Sequence, residues 1–337
     1  MSFCSRSAFC LFWVYLTLTL PPSHAQTLRR FRFERGLMGT QFTVILYASD
    51  SLLARQAYSR VSTRMDTLNS IMSDYLDGSE INRLSQTSGS GRWVSVSAPL
   101  YDVLQKACII ARLSGGRFDP TIGPLSQLWR RAVRQKVFPS ATERRQARRA
   151  VGYWSMEFDS ATQSIQLRKP KMRLDVGGIG QGYAVDEAAT VLQNSGIQSF
   201  LLDLGGDVLA GSPPPERPEG WRVAVGSGTN SRADPADTLV VLLKNAAITT
   251  SGDTYRHLDL GGRRYSHVMN PRSGLGLRHF VRVMVLAPQG YRADALTKVF
   301  SVVSPQKRRR FANRFPDAKI WILTNKKGRL QQWQSTL

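Results

Sequence analysis

Leu174-Asp175-Val176-Gly177-Gly178-Ile179-Gly180-Gln181-Gly182-Tyr183-Ala184-Val185-Asp186-Glu187-Ala188-Ala189 reads as a strand, a glycine-rich turn and then a helix. Four glycines within six residues let backbone amides approach a ligand with no Cβ in the way. A helix after such a turn aims unpaired N–H groups and the positive end of its dipole at an anion, so the stretch has the outline of a phosphate cradle. The spacing Gly177-x-x-Gly180-x-Gly182 is not the dinucleotide-binding fingerprint, and the Lys-Ser/Thr pair of a P-loop is missing. Turns of this kind also serve close packing, and both readings stand at this point.

The 337 residues, 42% of them hydrophobic, are enough for one large core or two modest ones. Residues 1–25 carry one charge, Arg6, then the apolar run Ala8 to Leu20, then Pro21-Pro22-Ser23-His24-Ala25. This pattern is that of a removable secretory signal, the alternative being a retained membrane anchor. Residues 26–337 would then be a single compact domain, acting after export. Cys10 follows Phe9 and does not look like a lipoprotein acceptor. With Cys4 and Cys10 in the signal, only Cys108 remains, so no internal disulfide forms. Cys108 shares an apolar helical face with Leu104, Ala107 and Ala111, the setting of a buried, inert thiol.

The net charge of +22 is concentrated in Arg130-Arg131, Arg134, Lys136, Arg144-Arg145, Arg148-Arg149 and Lys307-Arg308-Arg309-Arg310. Such runs form a solvated face, and on an exported protein they suit an anionic membrane or an acidic partner. No aromatic residues interleave them as a nucleic-acid platform requires, so no nucleic-acid partner is expected.

Phe42, Val44 and Leu46 alternate on a strand from Gln41 to Tyr47 with one face buried, entered through Met38-Gly39-Thr40. Leu53, Ala57, Val61, Met65, Leu68 and Met72 recur at helical spacing from Ser51 to Met72, and a turn at Asp77-Gly78 breaks the pattern. A second helix runs from Pro99 to Leu113 and stops at Gly115-Gly116. Gly116-Arg117-Phe118-Asp119-Pro120-Thr121-Ile122-Gly123-Pro124-Leu125 is a loop whose prolines restrict its path. Arg130 to Val151 reads as helical and, in its second half, exposed. Strands follow at Met156 to Phe158, Ser164 to Arg168 and Met172 to Val176, then a helix from Tyr183 to Asn194. Further strands fall at Phe200 to Leu204, Trp221 to Val225, Thr238 to Leu243, Ala246 to Thr250, Val281 to Leu286 and Ala318 to Leu323, with a helix from Ala293 to Val303. Strands and helices intermix without a βαβ rhythm, which predicts an α+β fold.

Four turns combine glycine or serine with a carboxylate or histidine: Asp175 to Tyr183, Asp203 to Asp207, Ser251 to Asp253 and His267 to Gly274, with Asp294 at a helix start. Together with Met38-Gly39-Thr40 and the Phe118 to Leu125 loop, their order closely resembles the ApbE family of FAD:protein FMN transferases, from about Met38 to Val303. The resemblance implies a T-fold-related arrangement of mixed sheets with flanking helices. It also implies export, binding of FAD and Mg²⁺, and transfer of FMN to a Ser or Thr hydroxyl of an acceptor, usually a membrane-associated electron-transfer protein. Some members hydrolyse FAD to FMN and AMP instead. Phosphoryl transfer of either kind depends on positioning and charge neutralisation.

Carried onto this chain, the resemblance sets FAD against Met38, Tyr75, Phe118, Asp119, Asp175 and Val268, with the metal held by the Gly178 carbonyl and Asp294, oxygen donors that suit Mg²⁺. Asp294 thereby counts among the catalytic residues, and His267 takes a role in proton transfer or ligand orientation. Four positions depart from the common pattern. Gln181 stands where Lys is common, Ser266 replaces the first histidine of a pair, Asn270 replaces the aspartate before Pro271, and Lys298 replaces a metal-binding Thr. Either Thr297 supplies the missing oxygen, or Lys298 supplies at the phosphate the charge lost at Gln181. A flavin carrier without catalysis is the non-enzyme alternative.

Overall fold

The computed structural model describes residues 27–226, 238–252, 257–260, 263–266, 268–326 and 329–336. The chain opens with a hairpin of β1 (Arg29–Leu37) and β2 (Thr40–Ala48), then the helices α1 (Ser51–Met72) and α2 (Glu80–Gln86). Next come β3 (Val94–Ser95), α3 (Ala98–Leu113), α4 (Gly123–Gln135), α5 (Ala141–Arg149), β4 (Met156–Asp159) and β5 (Ser164–Leu167). After α6 (Gly180–Asn194) follow β6 (Phe200–Leu204), β7 (Asp207–Ala210), β8 (Trp221–Gly226), β9 (Thr238–Leu243) and β10 (Ala246–Gly252). Short strands β11 (His257–Leu260), β12 (Arg263–Ser266), β13 (Met269–Asn270) and β14 (Leu275–Gly276) precede β15 (Val281–Ala287), α7 (Gly290–Val302), α8 (Arg308–Ala312), β16 (Lys319–Lys326) and β17 (Arg329–Gln334).

Eight strands form one antiparallel sheet in the order β1-β2-β6-β7-β10-β15-β16-β17. This is the α+β architecture that the irregular alternation of elements predicts. Helices α6 and α7 pack on each other; α7 lies on β10 and β15, α6 on β6 and β7, and α1 on β2 and α6.

The alternation in β2 has a different meaning from the one its sequence suggested. Phe42, Val44, Leu46 and Ala48 enter the core under the helices, while Ile45 and Tyr47 enter a second core on the opposite face, beneath the β8–β9 hairpin. The strand is therefore buried on both sides, which is why it is almost continuously apolar. Trp221, Val223 and Leu243 supply the hairpin's half of that second core.

Other boundaries shift for physical reasons. Met172 to Val176 is no strand; it is held to the Phe118–Pro124 loop by one parallel bridge, Ile122 to Arg173, and by the Asp175 amide donating to the Pro120 carbonyl at 2.8 Å. Helix α6 starts at Gly180, three residues before Tyr183, and α7 at Gly290, three before Ala293, so Asp294 lies in the second turn. The edge strands β1 and β17 are exposed and charged or polar along one side, which hid them from a hydrophobic pattern. Helix α2 starts at the Ser79 N-cap, whose hydroxyl accepts from the Asn82 amide. Strand β7 begins immediately after the Gly205-Gly206 turn, a strand the sequence reading did not assign.

Candidate active site

Met38 and Gly39 form the two-residue turn of the first hairpin with φ of 47° and 73°, the left-handed pair that a tight β-turn of matching twist demands. Methionine adopts that conformation rarely, and here it sets Met38 half-buried at the hairpin tip. The tip touches the β6–β7 turn, since a Cβ added at Gly205 would lie 2.5 Å from Thr40 Oγ1. In that turn Asp203 accepts from the Gly206 amide at 2.8 Å, and the chain then enters β7 with Asp207.

Asp207 is buried, and one oxygen of its carboxyl accepts from the Thr249 hydroxyl of β10 at 2.7 Å. Burial first, and the neighbouring Asp294 second, push its pKa well above the usual carboxylate range, against the opposing pull of Lys298. Asp294, 1% exposed, accepts from the Gly182 amide at 3.2 Å and pairs closely with the Lys298 ammonium one helical turn on. Burial works against the charge of Lys298, but Asp294 and Asp207 outweigh it and hold its pKa above the ordinary lysine value. The Lys298 side chain keeps one quarter of its surface exposed, which opens it to the cleft.

Helices α6 and α7 meet here backbone to backbone: a Cβ on Gly182 would lie 2.2 Å from the Gly290 carbonyl oxygen. This glycine is therefore a packing glycine. The Gly177, Gly180 and Gly182 amides are already engaged by the Asp175 carboxylate, the Val176 carbonyl and Asp294. The amides of Gly290 and Tyr291 at the start of α7 donate to Asp186, whose pKa burial pushes up to about 6. The phosphate cradle read from the sequence is thus largely self-satisfied, and the positive group at its edge is Lys298.

Gly178 is where three elements converge. A Cβ placed there would lie 3.2 Å from Phe118 Cε2, 3.3 Å from Lys298 Cγ and 3.7 Å from Lys298 Cε. The lysine stem therefore lies along the interval between Gly178 and Asp294, the two positions expected to hold a metal. Both Asp294 oxygens have partners, and the buried Thr297 hydroxyl donates to the Asp294 carbonyl of its own helix at 2.7 Å. A divalent cation needs several oxygens converging on one point, and this donor set does not fit one. Among the described residues no cluster of three or more His, Cys, Asp or Glu side chains is placed to hold a metal.

At the other end of the glycine turn, Asp175 pairs with Arg130 at 3.4 Å. Arg130 also pairs with Asp74 at 2.6 Å, and its guanidinium lies 4.1 Å from the centre of the Tyr75 ring. Burial and the neighbouring Asp175 raise the pKa of Asp74, Arg130 opposing them. Tyr75 remains 75% exposed, offering the cleft an aromatic face backed by a cation.

The expected site residues therefore gather in two groups: Lys298 with Asp294, Gly178 and Phe118 at one side of the glycine turn, and Asp175 through Arg130 to Tyr75 at the other. Gln181 stands half-buried one residue before the amide that bonds Asp294. Val268 is buried on a strap that packs against α4, where a Cβ at Gly276 would lie 3.3 Å from Trp129. Asn270 organises that strap, its side chain accepting from the Arg272 amide and its carbonyl from Gly274. Asp119 is held within its own loop. Its carboxylate is taken up by the Thr121 amide and hydroxyl and the Tyr153 amide, so it shapes the loop that carries Phe118. His267 lies outside the described residues.

Three participants escaped the sequence reading. Arg130 was counted in a solvated basic run, Asp74 in a turn, and Asp207 as part of a turn with no assigned role. Their only sequence signal is an arginine beside an apolar Trp129 on an amphipathic helix, which packing alone converts into an ion-pair position.

The family model described as "ApbE family" matches residues 38–322. The chain is 25% identical to the FAD:protein FMN transferase of Escherichia coli strain K12, over 97% of this chain and 93% of that one. To the protein of the same name from Salmonella typhimurium it is 28% identical, over 99% and 96%. Among solved structures, the flavin transferase ApbE from Vibrio cholerae superposes with a TM-score of 0.80 at 23% identity, covering 92% of this chain and 98% of that one. The apo form of the flavinyl transferase ApbE from Pseudomonas stutzeri does so at 0.80 and 24% identity, covering 92% and 95%. These structural likenesses speak to the fold.

Proposed function

The chain belongs to the ApbE family, and from that membership together with the cleft we propose that it is an FAD:protein FMN transferase. The acceptor is a Ser or Thr hydroxyl of an exported or membrane-associated electron-transfer protein. Its oxygen bonds to the phosphorus of the FMN half, the bond from that phosphorus to the bridging oxygen breaks, and AMP leaves with that oxygen and its electron pair. The hydroxyl proton passes to His267. The residues 1–25, outside the described part, act as the export signal, and the reaction takes place in the periplasm. The basic surface favours contact with an anionic membrane.

The observation that carries this reading is the pair of groups on the two sides of the glycine turn. A partly exposed ammonium beside Gly178 and Asp294 suits a phosphate, and an exposed, cation-backed tyrosine suits a flat ring. The resemblance also implies Mg²⁺, but this chain does not offer that ion the place between Gly178 and Asp294, and no step is assigned to it. Incubation with FAD and an acceptor domain, followed by the acceptor's mass, tests the proposal. A gain of one FMN is expected. Free FMN and AMP with an unmodified acceptor would make the protein an FAD pyrophosphatase, and intact FAD would make it a flavin carrier; either overturns the transferase reading.

A further inference from the structure

The Lys298 ammonium stands beside Asp294 with its stem against Gly178, between two elements expected to share a divalent metal. We propose that Lys298 is a tethered replacement for that metal, so that this protein binds FAD and transfers FMN without a divalent cation. The inference rests on the transferase reading and concerns how its phosphate charge is met.

Three observations support it. The lysine is seated, not merely nearby: its ammonium is paired with the buried Asp294, and its stem lies against the glycine turn, 3.3 Å from a Cβ placed on Gly178. Both carboxylate oxygens of Asp294 are engaged, by Lys298 and the Gly182 amide, and the Thr297 hydroxyl is turned to the Asp294 carbonyl of its own helix. Three of the four glycine amides are spent as well, so little of the turn's own donor capacity is left for an anion, and the Lys298 stem lies against it.

An ammonium has three N–H donors. One is directed at Asp294, which leaves others for a non-bridging oxygen of the FMN-side phosphate. As the acceptor oxygen bonds to that phosphorus and AMP departs, negative charge grows on those oxygens, and a fixed ammonium stabilises it without having to be recruited from solution.

The test uses the full mature chain with FAD and with Mn²⁺ alone as the metal probe. In EDTA, quenching of flavin fluorescence and FMN transfer should stay within about twofold of their values in Mg²⁺, and paramagnetic resonance should find no Mn²⁺ bound by the parent chain. Lys298→Met should lower transfer by about 100- to 1000-fold, the usual loss for one preorganised charge-stabilising donor. Lys298→Thr, which restores an oxygen donor, should gain one Mn²⁺ per chain and become sensitive to EDTA. One Mn²⁺ bound by the parent and displaced by Mg²⁺, or loss of FAD binding in EDTA, would overturn the proposal. If the variants fail to fold, the parent's Mn²⁺ and EDTA measurements decide alone. Absence of FMN transfer under every condition would sink the transferase reading, while the FAD-binding and Mn²⁺ results would still decide the role of Lys298.

Discussion

On the two sides of the glycine turn a cation is set against aspartates, yet the two arrangements are built for different work. Lys298 pairs with the buried Asp294 one turn earlier on α7, and the buried Asp207 of β7 adds its negative field. Arg130 joins Asp74, at the end of α1, to Asp175, at the start of the glycine turn, and stacks on an exposed tyrosine. A compact ammonium serves as a point charge. A planar guanidinium can bind two carboxylates and an aromatic face at once, so the arginine serves as a brace between loops. The same composition thus yields a charge aimed at a phosphate at one end and a scaffold for a flat ring at the other.

The sharpest way to break this comparison is Asp294→Ala. It leaves the ammonium and the Gly182 amide without their partner, so transfer should fall by at least about 100-fold. Because Lys298 is one-quarter exposed, stability should drop by about 2–3 kcal/mol, less than for a fully buried pair. Steady-state transfer and a thermal melt on one preparation check both, and unchanged turnover would remove Asp294 from the site.

Arg130→Lys should act more mildly and in a different parameter. Lysine cannot hold Asp74 and Asp175 together while covering the Tyr75 ring, so FAD affinity should weaken by about tenfold, as expected for loss of a stacked, bidentate contact. Fluorescence titration with FAD reads that affinity, and a fall in the transfer rate at saturating FAD with affinity intact would instead give Arg130 a role in the chemistry.

Asp207→Asn separates the two clusters further. The native pKa of Asp207 is raised, so the folded chain holds its proton more tightly than the unfolded chain does. That contribution to stability is present below the unfolded value of about 4 and is lost as pH rises through the native value. Asparagine keeps an acceptor for Thr249 and removes the titration. The variant should match the parent in mild acid and exceed it in melting temperature by a few degrees at alkaline pH; a parent melt that rises with pH would contradict the assignment.

The smallest effect belongs to the basic surface. Arg145 and Arg149 are exposed on α5, a helix with no buried residue, and reversing their charges should leave transfer to a small soluble acceptor within about twofold, as for surface charges generally. A large loss would extend the cleft to α5.

Much of the fold was legible because it follows from local rules. The stripe from Leu53 to Met72 and the apolar strands at β2, β6 and β15 declare themselves through their period, while the Asp50 cap, whose carboxylate accepts from the Leu52 and Leu53 amides, came only with the structure. Cys108 was legible too: it is buried, and burial pushes its thiol up to about 12. The edge strands were not, because an exposed strand carries no hydrophobic alternation to read.

By itself, the sequence determined the order of the motifs, the α+β class and the residue types available to the site, since these depend on spacing along the chain. Only the tertiary structure decided which of those residues meet. It turned Gly182 into the contact between two helices, spent Asp119 on its own loop, drew Arg130 out of a basic run into a brace, and laid Lys298 between Gly178 and Asp294. Charge–charge and hydrogen-bond energies depend on distance and burial, and neither quantity exists until the chain has folded.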